Sequence, residues 1–172
     1  MAQLVLTVVG DDRAGLVNAL AERVAAHEGN WERSELAELA GVFAGIVLVS
    51  VPDDRVAALT DDLGGLEGLL RVTAHTGAAA AAAASTEPAR AVSFTVLGND
   101  RPGIVRDVTA AVAAHALSID GFRSRTLEAP MAGGTLFEAV VQVRVESDDD
   151  AQRITAALEH LAGEIQVDLT VD

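Results

Sequence analysis

The chain has 172 residues, of which 50% are hydrophobic, and a formal charge of −14, enough apolar material for one medium domain or two small ones. It has no cysteine, which excludes disulfides, thiolate zinc sites and cysteine nucleophiles. All 12 basic residues are arginine, which excludes Schiff-base lysines and the lysine of a phosphate-binding loop. The acid excess is shared: residues 1–77 carry 12 acids and 5 Arg, residues 91–172 carry 13 acids and 6 Arg, and each half stands at −7. Neither half has the basic surplus on which affinity for duplex DNA depends, and an aromatic content of 3% leaves few platforms for stacked bases. Direct nucleic-acid binding is not expected.

The opening MAQLVLTVVG lacks the basic region of a signal peptide and reads as a strand over Gln3–Val9. A loop, GDDRAGLV, follows from Gly10 to Val17, and Leu16, Val17, Leu20 and Val24 then recur at helical spacing. Asn30–Leu39 and Val42–Val51 have the pattern of a hairpin, with Gly41 near its turn. Asp53 and Asp54 suit the positive start of a short helix, which Val56, Leu59 and Leu63 supply with an apolar stripe, and Leu69–Thr76 closes the unit. The low-complexity stretch GAAAAAAASTEPAR, Gly77 to Arg90, has no face to bury and reads as a linker. Beyond it come a strand at Ala91–Leu97, a helix at Pro102–His115, strands at Ser118–Leu127 and Thr135–Val145, a helix at Asp149–Leu161 and a strand at Glu164–Val171. Pro102 is placed in the first helical turn, where its missing N–H is not needed. No apolar run reaches membrane-spanning length, so a cytoplasmic protein without membrane contact is expected.

The second set of elements repeats the first. Thr7, Val8, Gly10, Asp12, Arg13, Gly15 and Val17 have identical partners 88 positions on, in Thr95, Val96, Gly98, Asp100, Arg101, Gly103 and Val105. Val24–His27 repeats as Val112–His115, and Phe43, Val47, Val49 and Val51 recur 94 positions on as Phe137, Val141, Val143 and Val145. The second copy thus holds about six extra residues before its third strand. The organisation implied is a first domain at 1–76, a linker at 77–90 and a second domain at 91–172. Each domain is a βαββαβ unit of the α+β class, a ferredoxin-like, four-stranded antiparallel sheet with both helices on one face.

The loop that opens each unit half-resembles a phosphate loop in its glycine spacing. A phosphate loop needs Lys and Ser/Thr after its second glycine, whereas Leu16-Val17 and Ile104-Val105 stand there, and Asp11, Asp12 and Asp100 place negative charge where phosphate would sit. A small zwitterion fits better. A helix N-terminus offers unpaired N–H groups and partial positive charge to a carboxylate. Asp12 or Asp100 faces an ammonium, and Gly15 or Gly103 admits a ligand close to the backbone. The structural alternative also stands: Asp stabilises a loop and Gly serves close packing.

The pattern G-x-D-R-x-G-[LI]-V after a strand, with Asn30-Trp31-Glu32 opening the second strand, resembles an ACT domain. Two such units with little else resemble the glycine cleavage system transcriptional repressor family. That resemblance implies binding of a free amino acid, commonly where the first loop of one ACT unit meets the second-strand region of another. Carried over, it implicates Gly10, Asp11, Asp12, Arg13, Ala14, Gly15, Leu16, Val17 and Asn30, together with Gly98, Asn99, Asp100, Arg101, Pro102, Gly103, Ile104 and Val105. The second copy departs from the pattern, with Ser118 in place of Asn30 and Asn99 in place of Asp11, so the two sites need not be equivalent.

Other polar residues point to structure. His27 and His115 fall in the last turn of each first helix, where a cation favours the dipole, and none of the four histidines has metal-ligand spacing. Asp148-Asp149-Asp150 suits a solvated helix start. Ser34, Ser93 and Ser124 lack a nucleophile-elbow motif, and Trp31 and Phe122 suit a core better than a pocket. The function expected is a non-enzymatic, amino-acid-responsive regulator of transcription or metabolism that needs no cofactor or metal and acts through a protein partner. The alternatives are a regulatory subunit of an amino-acid or folate enzyme and a ligand-free oligomerisation module; a homodimer is left open.

Overall fold

The computed structural model describes residues 1–76, 90–115, 117–129, 133–145, 147–160 and 165–171. The chain divides into two compact units. The Ala-rich linker expected at 77–90 lies outside the described residues except for Arg90, which begins a strand.

In the first unit the elements are β1 (Ala2–Asp11), α1 (Leu16–Ala26), β2 (Asn30–Leu39), β3 (Val42–Val51), a 3₁₀ turn (Asp53–Arg55), α2 (Val56–Gly64) and β4 (Arg71–Thr76). The sheet is antiparallel in the order β2-β3-β1-β4. The second unit repeats it with β5 (Arg90–Asn99), α3 (Ile104–Ala114), β6 (Ile119–Glu128), β7 (Thr135–Val145), α4 (Asp148–His160) and β8 (Ile165–Val171), in the order β6-β7-β5-β8. Both sheets therefore have the ferredoxin-like topology that the repeat implied. The copies share a bulge near the start of their second strands, between Trp31 and Arg33 and between Ile119 and Gly121.

Period-two patterning decides which sheet face is covered. Leu4, Leu6 and Val8 of β1 and Val47, Val49 and Val51 of β3 are buried with Leu16, Leu20 and Val24 of α1 and Leu59 and Leu63 of α2. The second core is built alike from Val92, Phe94 and Val96, from Val141, Val143 and Val145, and from Ile104, Val108, Val112, Ile154 and Leu158. Each such side chain contributes about 1.5–3 kcal/mol by leaving water. Val17 does not belong to the buried stripe expected for α1. The face that carries Leu16, Leu20 and Val24 turns the next residue outward, leaving Val17 44% exposed, and Val105 is likewise 42% exposed.

The hairpin β2–β3 turns through Ala40 (φ 53) and Gly41 (φ 82), two positive-φ residues as a two-residue hairpin of the primed type needs. Its counterpart, β6–β7, is longer: Leu127 pairs with Leu136 where Leu39 pairs with Val42, so the extra residues of the second copy fall between Leu127 and Leu136.

Candidate ligand loops

The loops expected to hold a ligand are shorter than the motif that marks them. Gly10 and Asp11 are still in β1, paired with Phe43 and Val42, and Leu16 and Val17 are already in α1. The first loop proper is Asp12–Gly15. In the second copy Gly98 and Asn99 belong to β5, Ile104 and Val105 to α3, and the loop is Asp100–Gly103. Pro102 stands just before the cap residue Gly103 and not within the first helical turn, because the helix begins at Ile104.

Both loops rest on the hairpin of their own unit. The backbone N–H of Asp12 donates to the carbonyl of Gly41 at 2.9 Å, and that of Asp100 to the carbonyl of Thr135 at 2.8 Å. Each helix is capped by a left-handed glycine, Gly15 at φ 92 and Gly103 at φ 87, without a side-chain cap hydrogen bond. A side chain at either position would be strained. Asp11, Asp12, Arg13, Ala14 and Gly15 are exposed, as are Asn99, Asp100, Pro102 and Gly103, whereas Gly98 is buried and Arg101 is half-buried.

The arginines of the two loops have different partners. Arg13 Nη2 donates to the carbonyl of Gly68 at 3.0 Å, which ties the first loop to the connection before β4. Arg101 Nη1 instead donates to Asp107 Oδ2 at 2.7 Å, and Asp107 Oδ1 accepts from Arg106 Nε at 3.1 Å and Nη2 at 2.9 Å. These hydrogen bonds, from Arg101 foremost and then Arg106, hold the Asp107 carboxyl below its ordinary range. In the first copy the positions 88 residues earlier are Asn18 and Ala19. Asn18 Nδ2 donates along the helix to Glu22 Oε1 at 2.7 Å.

Asn30 is not near its own loop. It pairs with Ser50, which pairs with Gln3 on β1, so it sits at the other end of the sheet from Gly10, about 24 Å away at roughly 3.4 Å per residue. Ser118 is exposed, just before β6, and β6 starts at Ile119, opposite Val143 and so likewise remote from Gly98. Within a single unit the loop meets the hairpin turn, not the start of the second strand. The sequence motif did not reveal Gly68, Arg106 and Asp107, the residues that fix the loops. A glycine in the run Leu66–Leu70 and a first-turn acid in α3 were the available signals.

The remaining candidates have structural roles. His27 and His115 are the C-cap residues of α1 and α3, and His27 Nε2 also lies 3.1 Å from Asp62 Oδ2 of α2. Ser147 Oγ accepts the N–H of Asp150 at 3.2 Å and donates to its carboxylate at 2.7 Å, a reciprocal cap at the start of α4. Trp31 and Phe122 are partly buried against the cores of their units. An open groove of about 440 Å³ between α1 and the end of α2, lined by Ala19, Arg23, Ala26, Gly65 and Leu66 among others, does not include the loops. No helix among the described residues is long and apolar enough to cross a membrane.

Residues 2–76 match the family model of the ACT domain. No curated protein matches the chain. Among solved structures it is similar to an unknown protein from Galdieria sulphuraria, at 29% identity and a TM-score of 0.77, over 99% of this chain and 98% of that one. It is also similar in fold, at 18% identity and a TM-score of 0.68 over 99% and 98% of the two chains, to a protein described as a candidate glycine cleavage system transcriptional repressor.

Proposed function

Because residues 2–76 match the ACT domain and the second unit repeats its topology, we propose that this chain is a non-enzymatic regulatory protein that binds a free amino acid at its strand-to-helix loop. The observation that carries this reading is the first loop itself. Gly15 holds the start of α1 in a left-handed turn without a side-chain cap hydrogen bond, and the exposed Asp12 stands in the same loop. A carboxylate placed on the helix N-terminus gains from its N–H groups and dipole, while Asp12 is available to the ammonium of the same molecule. Asp11 and Asp12 disfavour a phosphate, which brings net negative charge, more than a zwitterion, whose net charge is zero.

Regulation follows by linkage. A ligand that binds one arrangement of the protein better shifts the population toward it by its difference in affinity. With −7 on each half, the readout is contact with a protein partner and not with bare DNA. The fold shared with a candidate transcriptional repressor supports transcription as the process controlled. Calorimetric titration of the full chain with each of the twenty common amino acids tests the binder. Saturable binding of one or a few of them is expected, and no binding at millimolar concentration sinks the proposal in favour of a ligand-free oligomerisation module. Capture from native lysate then separates a regulator from a subunit of an amino-acid or folate enzyme by what co-purifies.

A further inference from the structure

We infer that the two loops have divided their roles: the first is open to a ligand, and the second is closed by a clasp of its own side chains, Arg101, Asp107 and Arg106, so that the chain binds one amino acid and not two. The inference rests on the proposed reading of the first loop as the ligand site.

Space at the two cap glycines distinguishes the loops. A Cβ built on Gly15 has no heavy atom within 4 Å, whereas a Cβ built on Gly103 meets Arg106 Nη2 at 3.2 Å and Cζ at 3.5 Å. The guanidinium of Arg106 therefore occupies the space beside the Gly103 backbone that is empty at Gly15. It is held there by Asp107, the same carboxylate that Arg101 reaches from inside the loop at 2.7 Å. Asp107 is in the first turn of α3, where a carboxylate is favoured by the helix dipole. It brings into the second loop the negative charge that a ligand carboxylate would bring into the first. An incoming carboxylate at Gly103 meets the like charge of Asp107, and the Arg106 guanidinium that would attract it is already taken by Asp107 through Nε and Nη2.

The first unit lacks the residues that close this clasp. Ala19 replaces the acid and Asn18 replaces the covering arginine. Asn18 is turned along the helix to Glu22, and Arg13 is turned away to Gly68. The arginine common to both motifs thus anchors an open loop in one copy and closes the other, according to whether position 19 or its counterpart 107 carries a carboxylate.

Amide NMR reads the loops separately. The backbone signals of Gly15 and Gly103 are followed in the full chain as each of the twenty common amino acids is titrated to millimolar concentration. The expected result is a saturable shift at Gly15 with at least one amino acid and none at Gly103. In the double variant Arg106→Asn, Asp107→Ala, which copies the first loop, a saturable shift appears at Gly103 as well. Asp107→Ala alone removes the carboxylate that holds both arginines, and it serves the same purpose if the double variant loses its dispersed spectrum. A Gly103 shift in the unaltered protein overturns the division of roles while leaving amino-acid binding intact. So does a Gly103 signal that stays fixed in folded variants whose Gly15 signal moves. Immobility of both glycines with all twenty overturns the ligand reading itself, and the inference with it.

Discussion

A Cβ added to Gly10 would lie 2.6 Å from the backbone carbonyl oxygen of Leu69. The glycine that begins the first loop motif is therefore fixed by packing against the connection before β4, and a ligand is not needed to explain it. Gly10→Ala must push one backbone away from the other. Overpacking of this kind costs about 1–3 kcal/mol, and urea unfolding of the variant is expected to show a loss of that size. Stability equal to that of the unaltered protein would contradict the contact.

Gly15 presents the opposite case. Nothing lies near its missing side chain, but its φ is 92, and an L-residue in the left-handed region is disfavoured by roughly 1–2 kcal/mol. Gly15→Ala should lower stability by about that amount without disturbing neighbours, so that amide shifts outside Asp12–Ala19 stay in place. Widespread shifts would show that the space above Gly15 is filled.

Arg23 of α1 and its C-cap residue His27 both meet Asp62 of α2, at 2.7 and 3.1 Å. These groups are partly exposed, and such pairs are worth about 0.2–1 kcal/mol. Asp62→Ala is expected to destabilise the protein by about 1 kcal/mol in denaturant unfolding and to leave amino-acid affinity unchanged. A large loss of affinity would mean that the spacing of α1 and α2 controls the loop.

The clasp in the second loop has a pH signature. The Asp107 carboxyl lies below its ordinary value of 3.8, from its hydrogen bonds to Arg101 and then Arg106. A carboxyl lowered by folding contributes stability that is fully present above the unfolded value and is lost as pH falls through the folded one. Melting temperatures of the unaltered protein and Asp107→Asn should therefore differ at neutral pH and converge below about pH 3.8. Curves that stay parallel through that window would contradict the pairing.

The fold was legible because its two periods are clean. The alternation of Leu4, Leu6 and Val8 and the helical spacing of Leu16, Leu20 and Val24 each point to one buried face, and the second copy repeats both. The strands Asn30–Leu39, Val42–Val51 and Thr135–Val145 have the bounds expected from sequence. Val17 was misplaced because an apolar residue next to a stripe looks like part of it until the helix is set against a sheet. The candidate site was only half legible. Motif identity between GDDRAGLV and GNDRPGIV suggested two like loops, yet the difference between them lies just beyond the motif, at Asn18-Ala19 against Arg106-Asp107, and in where an arginine turns. Side-chain direction of that kind is set by tertiary partners such as the Gly68 carbonyl, which no local pattern announces. The distance between Asn30 and its own loop was likewise hidden, because it depends on which strands pair.

If the first loop holds an amino acid through opposite charges at its two ends, Asp12→Asn must weaken binding without weakening the fold. The change keeps the size of the side chain and removes its charge. A charge-assisted hydrogen bond is worth roughly 1.5–3 kcal/mol, and about 1.4 kcal/mol is one decade in affinity. Calorimetry with the amino acid that the unaltered protein binds should show at least about a tenfold weaker affinity in Asp12→Asn, with an unchanged melting temperature. Affinity equal to that of the unaltered protein, or a loss that follows the melting temperature downward, would leave the loop a strand-to-helix connector.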